Sequence, residues 1–232
     1  MVDATMVREA VATVRARIEA ARARGGHGQP VTLIAVTKTY GPEAVEAAWA
    51  AGVADVGENR VQEALAKQPL VTAPVRWHLI GHLQRNKARQ ATGFACIHSL
   101  DSLRLAEALA EAAGREGRVL EVLLQVNVSG EATKGGITPP ELAAAADALH
   151  RHPALRVRGA MTMAPLEADE RTLRAVFGGA RAAGAALRAA GHPAEWLSMG
   201  MSGDYEVAVE EGATHVRLGS VLFGARPRTS EP

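Results

Sequence analysis

Runs of apolar, partly β-branched residues alternate along this chain with longer stretches of helical spacing, unbroken through eight rounds. The runs at 33–36, 53–57, 76–81, 94–98, 119–127, 156–163, 196–199 and 215–218 read as strands. Between them the punctuation is that of helices. Pro42 follows the Gly41 turn and suits a first helical position. Asp101 reads as the N-cap of a helix reaching 113, and the stretch 84–92 as a helix before it. Thr138-Pro139-Pro140-Glu141 is a capping box with proline in the first turn. Leu173, Phe177, Ala180, Gly184 and Leu187 form one stripe of a long helix stopped at Gly191. One further helix, 2–24, precedes the first strand, with Val7, Val11, Val14 and Ile18 on its apolar face and Gly25-Gly26 at its end. It is expected to pack on the outside or the base of the fold.

Strict strand–helix alternation specifies a parallel sheet with right-handed crossovers. Eight units within 232 residues predict a single α/β domain, a closed (β/α)8 barrel of the TIM type with an extra N-terminal helix. An open doubly wound sheet is the alternative, and the lack of a GxGxxG or GxxxxGK[ST] turn argues against its nucleotide-binding form. No linker, low-complexity segment or repeat divides the chain, so residues 1–232 are assigned to one domain with a polar tail at 226–232 that is expected to fray.

A net charge of +1 gives no electrostatic reason for nucleic acid or an anionic membrane as partner, and 3% aromatics leaves little to stack on bases. No apolar run approaches a membrane span, and no signal-peptide h-region follows the first residues. The single cysteine, Cys96, lies in an apolar run, where a buried, inert thiol is expected. A soluble protein of the reducing cytoplasm fits these features.

A parallel barrel gathers its strand C-termini at one mouth, where such folds keep their chemistry. The residues at or just past the expected strand ends are Lys38, Asn59, His78 with His82, His98 with Ser99, Asn127 with Ser129, Met163, Met199 with Ser202, and Arg217 with Gly219 and Ser220. They are polar or small where the strand interiors are apolar. Lys38 ends the first strand, either as a charged rim residue or as an amine held for Schiff-base formation. Arg217-Leu218-Gly219-Ser220 is a strand end, a Gly-Ser turn and a helix start, which suits a phosphate; equally it is a tight turn into a helix. Met199-Gly200-Met201-Ser202 is a second small-residue turn whose hydroxyl can add a donor. An amine facing a phosphate cradle suggests pyridoxal 5′-phosphate, an aldehyde at one end and a phosphate at the other.

Val36-Thr37-Lys38, Gly57-Glu58-Asn59-Arg60-Val61-Gln62-Glu63, the run from Trp77-His78-Leu79-Ile80-Gly81-His82 to Lys87, Gln125-Val126-Asn127, Gly159-Ala160-Met161-Thr162-Met163, Leu197-Ser198-Met199-Gly200-Met201-Ser202 and Val216-Arg217-Leu218-Gly219-Ser220 stand in one order along the chain. In this the sequence resembles the YggS/PROSC family of pyridoxal-phosphate homeostasis proteins over nearly its whole length. The resemblance implies the barrel of the alanine-racemase type without that enzyme's second domain. It implies a Schiff base on Lys38, phosphate contacts from Ser202, Gly219 and Ser220, and Arg217 toward the pyridine ring, with Asn59 available to orient the cofactor. The choice among Met199, Met201 and Ser202 at the phosphate stays open. It also implies a carrier or regulator of vitamin B6 and amino-acid pools with no established turnover, handing cofactor to apo-enzymes.

Two physical points favour binding over turnover. Arginine only donates, so a ring nitrogen facing Arg217 must accept and stays unprotonated, a poorer electron sink. Racemisation needs acid–base groups on both faces of the α-carbon. Alanine racemase draws one from its second domain, and few residues follow Gly224 here. Weak racemase or lyase activity is the alternative, with Tyr40 and Tyr205 read as packing or capping residues. Lacking that domain, the chain is expected to be a monomer. His78, His82 and His98 lack an acidic or thiol partner at matching spacing, which argues against a metal. Arg85-Asn86-Lys87-Ala88-Arg89 reads as a solvated face rather than an RNA contact. Asp55, Glu58 and Glu63 are expected to cap helices or pair with arginine, and Asn127 to orient a cofactor or to satisfy local backbone.

Overall fold

The computed structural model describes residues 2–131 and 135–224. The tail at 226–232 lies outside the described residues. The chain opens with α1 (Ala4–Gly25), whose N-cap Asp3 takes the amides of Thr5 at 2.8 Å and Met6 at 3.3 Å. At its other end Gly26, at φ 68°, returns its N–H to Arg22, a left-handed conformation that glycine adopts at little cost. Then follow β1 (Thr32–Val36), α2 (Pro42–Ala50), β2 (Asp55–Glu58), α3 (Val61–Lys67), β3 (Arg76–Leu79), β4 (Cys96–Leu100), α4 (Leu103–Arg115), β5 (Leu120–Gln125), α5 (Leu142–Leu149), β6 (Leu155–Met161), α6 (Glu170–Ala189), β7 (Trp196–Ser198), α7 (Tyr205–Glu210), β8 (His215–Leu218) and α8 (Ser220–Phe223). The strands close into a parallel barrel in sequence order, β8 pairing back onto β1. No helix among the described residues is long and apolar enough to cross a membrane.

Side chains alternate across each strand, and here the alternation separates two environments. Leu33, Ala35, Val56, Leu79, Ile97, Val122, Leu124, Val157, Val216 and Leu218 belong to the main apolar core, shared with the helices. Inside the barrel only a small apolar cluster forms, Cys96, Leu123 and Met161, and buried polar groups occupy much of the rest. At the β5–β6 seam the register shifts after Val122, opposite Gly159. Gly159 stands at φ 152°, and a Cβ there would lie 1.8 Å from the carbonyl oxygen of Trp196 on β7, so β6 and β7 close only around a glycine.

The N-terminal helix buries Val7, Val11, Val14 and Ile18, as its spacing predicts, and packs outside the barrel on α2, α7 and α8. Arg24 pairs with Glu210 at 2.6 Å, fixing its end to α7.

Around β4 the fold departs from expectation. The strand begins at Cys96, not Phe94, because a turn closed by Phe94 N–H on the Ala91 carbonyl consumes the preceding residues. The basic stretch is a 3-10 helix, Arg85–Ala91, rather than an α-helix, with Arg85 and Arg89 exposed. Ser102, not Asp101, caps α4, its hydroxyl taking the Leu105 amide. Asp101 instead holds His82 Nδ1 at 2.9 Å.

Candidate functional site

At the C-terminal mouth of the barrel lies a cavity of about 980 Å³, and Lys38, Asn59, Ser202, Arg217, Gly219 and Ser220 all line it. The first strand and the last thus deliver their end residues to one space, as a closed barrel requires of neighbours β1 and β8.

The turn that carries Lys38 is clamped on both sides. Thr37 donates its hydroxyl to Glu58 Oε1 at 2.6 Å. The buried ammonium of Lys67 donates to the Thr37 carbonyl, to Glu58 Oε1 and to Glu63 Oε1, each at 2.8 Å. Glu63 also accepts the Thr39 amide at 2.6 Å. Thr39 sits at φ 68°, a left-handed conformation that a β-branched residue adopts only when its surroundings impose it. Burial raises the pKa of Glu58 despite the opposing hydrogen bonds from Lys67 and Thr37. Glu58 Oε2 has no hydrogen-bond partner among the described residues. The clamp is therefore a rigid but costly arrangement, concentrated beside one lysine. Of the acids expected to cap helices or pair with arginine, Asp55 pairs with Arg76, while Glu58 and Glu63 pair with Lys67.

Arg217 is buried within the barrel. It donates from Nη1 to Ser198 Oγ at 2.6 Å and from Nη2 to the Thr162 carbonyl at 2.9 Å. Burial draws its pKa down to about 10, with Asp204 opposing, so it stays a cation at neutral pH. Ser202 Oγ accepts the Val221 amide at 3.4 Å, which ties the turn after β7 to the turn after β8. Asp204 accepts the Met201 amide at 2.5 Å and shapes the first of these turns. Met201 and Ser202 line the cavity; Met199 is buried in the core between barrel and helices.

Several other candidates do not reach the mouth. With β4 displaced by two residues, His98 stands mid-strand and meets His78 in the barrel interior. Ser99 is buried and donates to the Gly81 carbonyl. Asn127 takes the Gly130 amide and the Ser129 hydroxyl, a local loop role. Tyr40 packs on Phe223 and donates to the Gly224 carbonyl, and Tyr205 is buried among apolar residues; neither lines the cavity. His82 does line it, as does Met163. Against the expectation of no thiol partner, the fold brings Cys96 beside His78 and His98, the three ligand atoms within 4.8 Å of one another. Burial pushes the Cys96 thiol up, and the imidazole nitrogens are engaged in hydrogen bonds, so the cluster does not present three open ligands. Lys67 closes α3 and carries no strand-end signal, and Ser198 ends β7 one residue before the end at Met199 that the sequence predicts.

The family model for the alanine racemase N-terminal domain matches residues 10–227. The pyridoxal phosphate homeostasis protein of Pseudomonas aeruginosa is 46% identical over 223 residues, 95% of this chain and 96% of that one. The chain belongs to the pyridoxal phosphate homeostasis protein family. Within that family, the structure of PipY from Synechococcus elongatus with pyridoxal phosphate bound is 40% identical, covers 94% of this chain and 100% of its own, and superposes with a TM-score of 0.83. Alanine racemase from Corynebacterium glutamicum is 16% identical with a TM-score of 0.75, covering all of this chain and 64% of the enzyme, a likeness of fold. The homeostasis-protein family thus shares its barrel with the racemase, as the sequence motifs implied.

Proposed function

We propose that this chain binds pyridoxal 5′-phosphate at the C-terminal mouth as a Schiff base on Lys38, and serves as a carrier or regulator in vitamin B6 and amino-acid homeostasis. The observation that carries the reading is that Lys38 and the Gly219–Ser220 turn line one cavity. The donor set fits the group. An amine meets an aldehyde; two serine hydroxyls and a glycine backbone suit a phosphate; a guanidinium suits an unprotonated pyridine nitrogen. The names of the relatives and the ligand of PipY support the same choice. When bound, the cofactor supplies an electron sink for amino-acid chemistry. This chain's residues bias against using it: Arg217 can only donate to the ring, and neither tyrosine reaches the cavity to move a proton. Asn59 orients the bound ring.

The purified protein is expected to be yellow, to fix the cofactor covalently on borohydride treatment, and to lose both properties in Lys38→Ala. A protein that stays colourless with added cofactor overturns the reading. Amino-acid turnover above ~1 per second overturns the carrier role and leaves the binding role standing. A monomer that hands its cofactor to apo-enzymes completes the proposal, read by sedimentation and by reactivation of a pyridoxal-phosphate-dependent apo-enzyme.

A further inference from the structure

A single file of hydrogen bonds runs through the barrel beneath the cavity. It starts at Arg217 Nη1, which donates to Ser198 Oγ at 2.6 Å. Ser198 Oγ meets His98 Nδ1 at 2.8 Å, His98 Nε2 meets His78 Nδ1 at 3.0 Å, and His78 Nε2 meets Asp55 Oδ1 at 2.8 Å. Every member is buried. Asp55 lies at the other end of the barrel, in a separate cavity of about 360 Å³ that Arg76 and His215 also line. Arg76 holds the same carboxylate through Nε at 2.8 Å and Nη2 at 2.6 Å.

The carboxylate end sets the direction of every link where each imidazole carries one hydrogen. A guanidinium can only donate, and an ionised carboxylate can only accept. His78 must therefore donate from Nε2 to Asp55, which leaves its Nδ1 as an acceptor. His98 must then donate from Nε2, leaving its own Nδ1 to accept the Ser198 proton. With one hydrogen on each ring, both rings carry it on Nε2, and all protons point away from the cavity. The electrostatics agree at both ends. Burial holds His98 well below the usual histidine range, and the Arg217 cation adds to it. Burial opposes the charge on Asp55, but hydrogen bonds from His78 and Arg76 outweigh it and keep the pKa at about 2.

We propose that this one-way relay locks the Arg217 guanidinium toward the cofactor ring, making Ser198 and His98 positioning residues for the pyridine nitrogen. The hydroxyl of Ser198 is engaged on both sides: its proton is committed to His98 and one lone pair to Arg217. With Thr162 as second anchor, the guanidinium is held at two points and its remaining N–H groups are left for the cavity. The proposal rests on the reading that the cavity takes pyridoxal phosphate, but the locking can be measured without it.

The experiment compares wild type with His98→Leu, His98→Gln and Ser198→Ala. Glutamine offers an oxygen toward Ser198 and an N–H toward His78, the polarity the relay demands; leucine offers neither. In the cofactor-free protein, NMR is expected to show both imidazoles neutral with hydrogen on Nε2. It should also show separate, slowly exchanging Arg217 Nη–H signals in wild type and His98→Gln that average in His98→Leu and Ser198→Ala. In protein loaded with ring-15N pyridoxal phosphate, the ring-nitrogen shift should move in His98→Leu and Ser198→Ala and return in His98→Gln, with affinity about tenfold weaker in the first two. Borohydride fixation should persist in all of them. Unchanged Arg217 signals in folded His98→Leu, or an imidazole protonated on Nδ1 in wild type, overturns the relay; the wild-type tautomers are readable even where a variant fails to fold. Wild type that takes up no cofactor while its imidazole and arginine signals behave as described overturns the binding reading instead, and with it the assignment of the lock to a pyridine ring.

Discussion

The ammonium of Lys67 lies 2.8 Å from the carbonyl oxygen of Thr37, the residue immediately before Lys38. One buried cation thereby fastens the backbone that presents another. Glu58, which shares that cation, is fully buried and has a second oxygen without a hydrogen-bond partner among the described residues. Replacing Lys67 by Met is expected to cost about 3–5 kcal/mol, the size typical of a broken buried pair. Urea denaturation measures the loss, and cofactor affinity should fall with it because the Lys38 turn loses an anchor. A loss below about 1 kcal/mol shows that the cluster tolerates an unpaired Glu58 and is no clamp.

Thr39 is held at φ 68° by its neighbours. Thr39→Gly relieves that strain but adds freedom to the unfolded chain. The first effect is the larger for a β-branched side chain, so the variant is expected to be more stable by about 0.5–1 kcal/mol. A lower melting temperature contradicts the strained conformation.

Acid should weaken the fold in two stages. Burial is the main cause that depresses His98 and His215, the latter from 6.5 to about 3. A depressed pKa gives stability that is present above the unfolded value and is lost as pH falls toward the folded one. Both histidines protonate in the unfolded chain below about pH 6.5 and resist it in the fold, so stability should fall by roughly 1.4 kcal/mol per pH unit for each. Asp55, depressed from 3.8 to about 2, adds a later loss of about 2 kcal/mol below pH 4. Urea denaturation from about pH 7 to about pH 4 reads the first stage, and a flat profile contradicts neutral buried histidines.

Gly159→Ala puts a methyl group into the Trp196 carbonyl at the β6–β7 seam. Backbone meets backbone there, and no side chain can give way. A loss of at least about 3 kcal/mol, or failure to fold, is expected on expression and thermal unfolding. A soluble variant with wild-type stability means that the seam can open.

The barrel was legible because eight turns of strand-to-helix grammar survive in the sequence, each with its own cap, proline or glycine. The mouth followed from it: a strand's last residue needs only the strand's end to be placed, and all six chosen residues line the cavity. Where the end was misplaced, as at β4, His98 went with it. The interior was hidden for a different reason. Ser198 and His98 stand on β7 and β4, strands that do not pair, and meet only because the closed barrel brings their inward faces together. Lys67 looks in sequence like any lysine at a helix end, and only the fold shows that its head is buried.

The helix before the barrel, α1, rests on α2, α7 and α8. Those three begin just past Lys38, Ser202 and Gly219. The turns after β1, β7 and β8, drawn from opposite ends of the sequence, are therefore backed by one and the same rod. On the proposed binding mode, unseating that rod should slacken both grips on the cofactor together, although no residue of α1 lines the cavity.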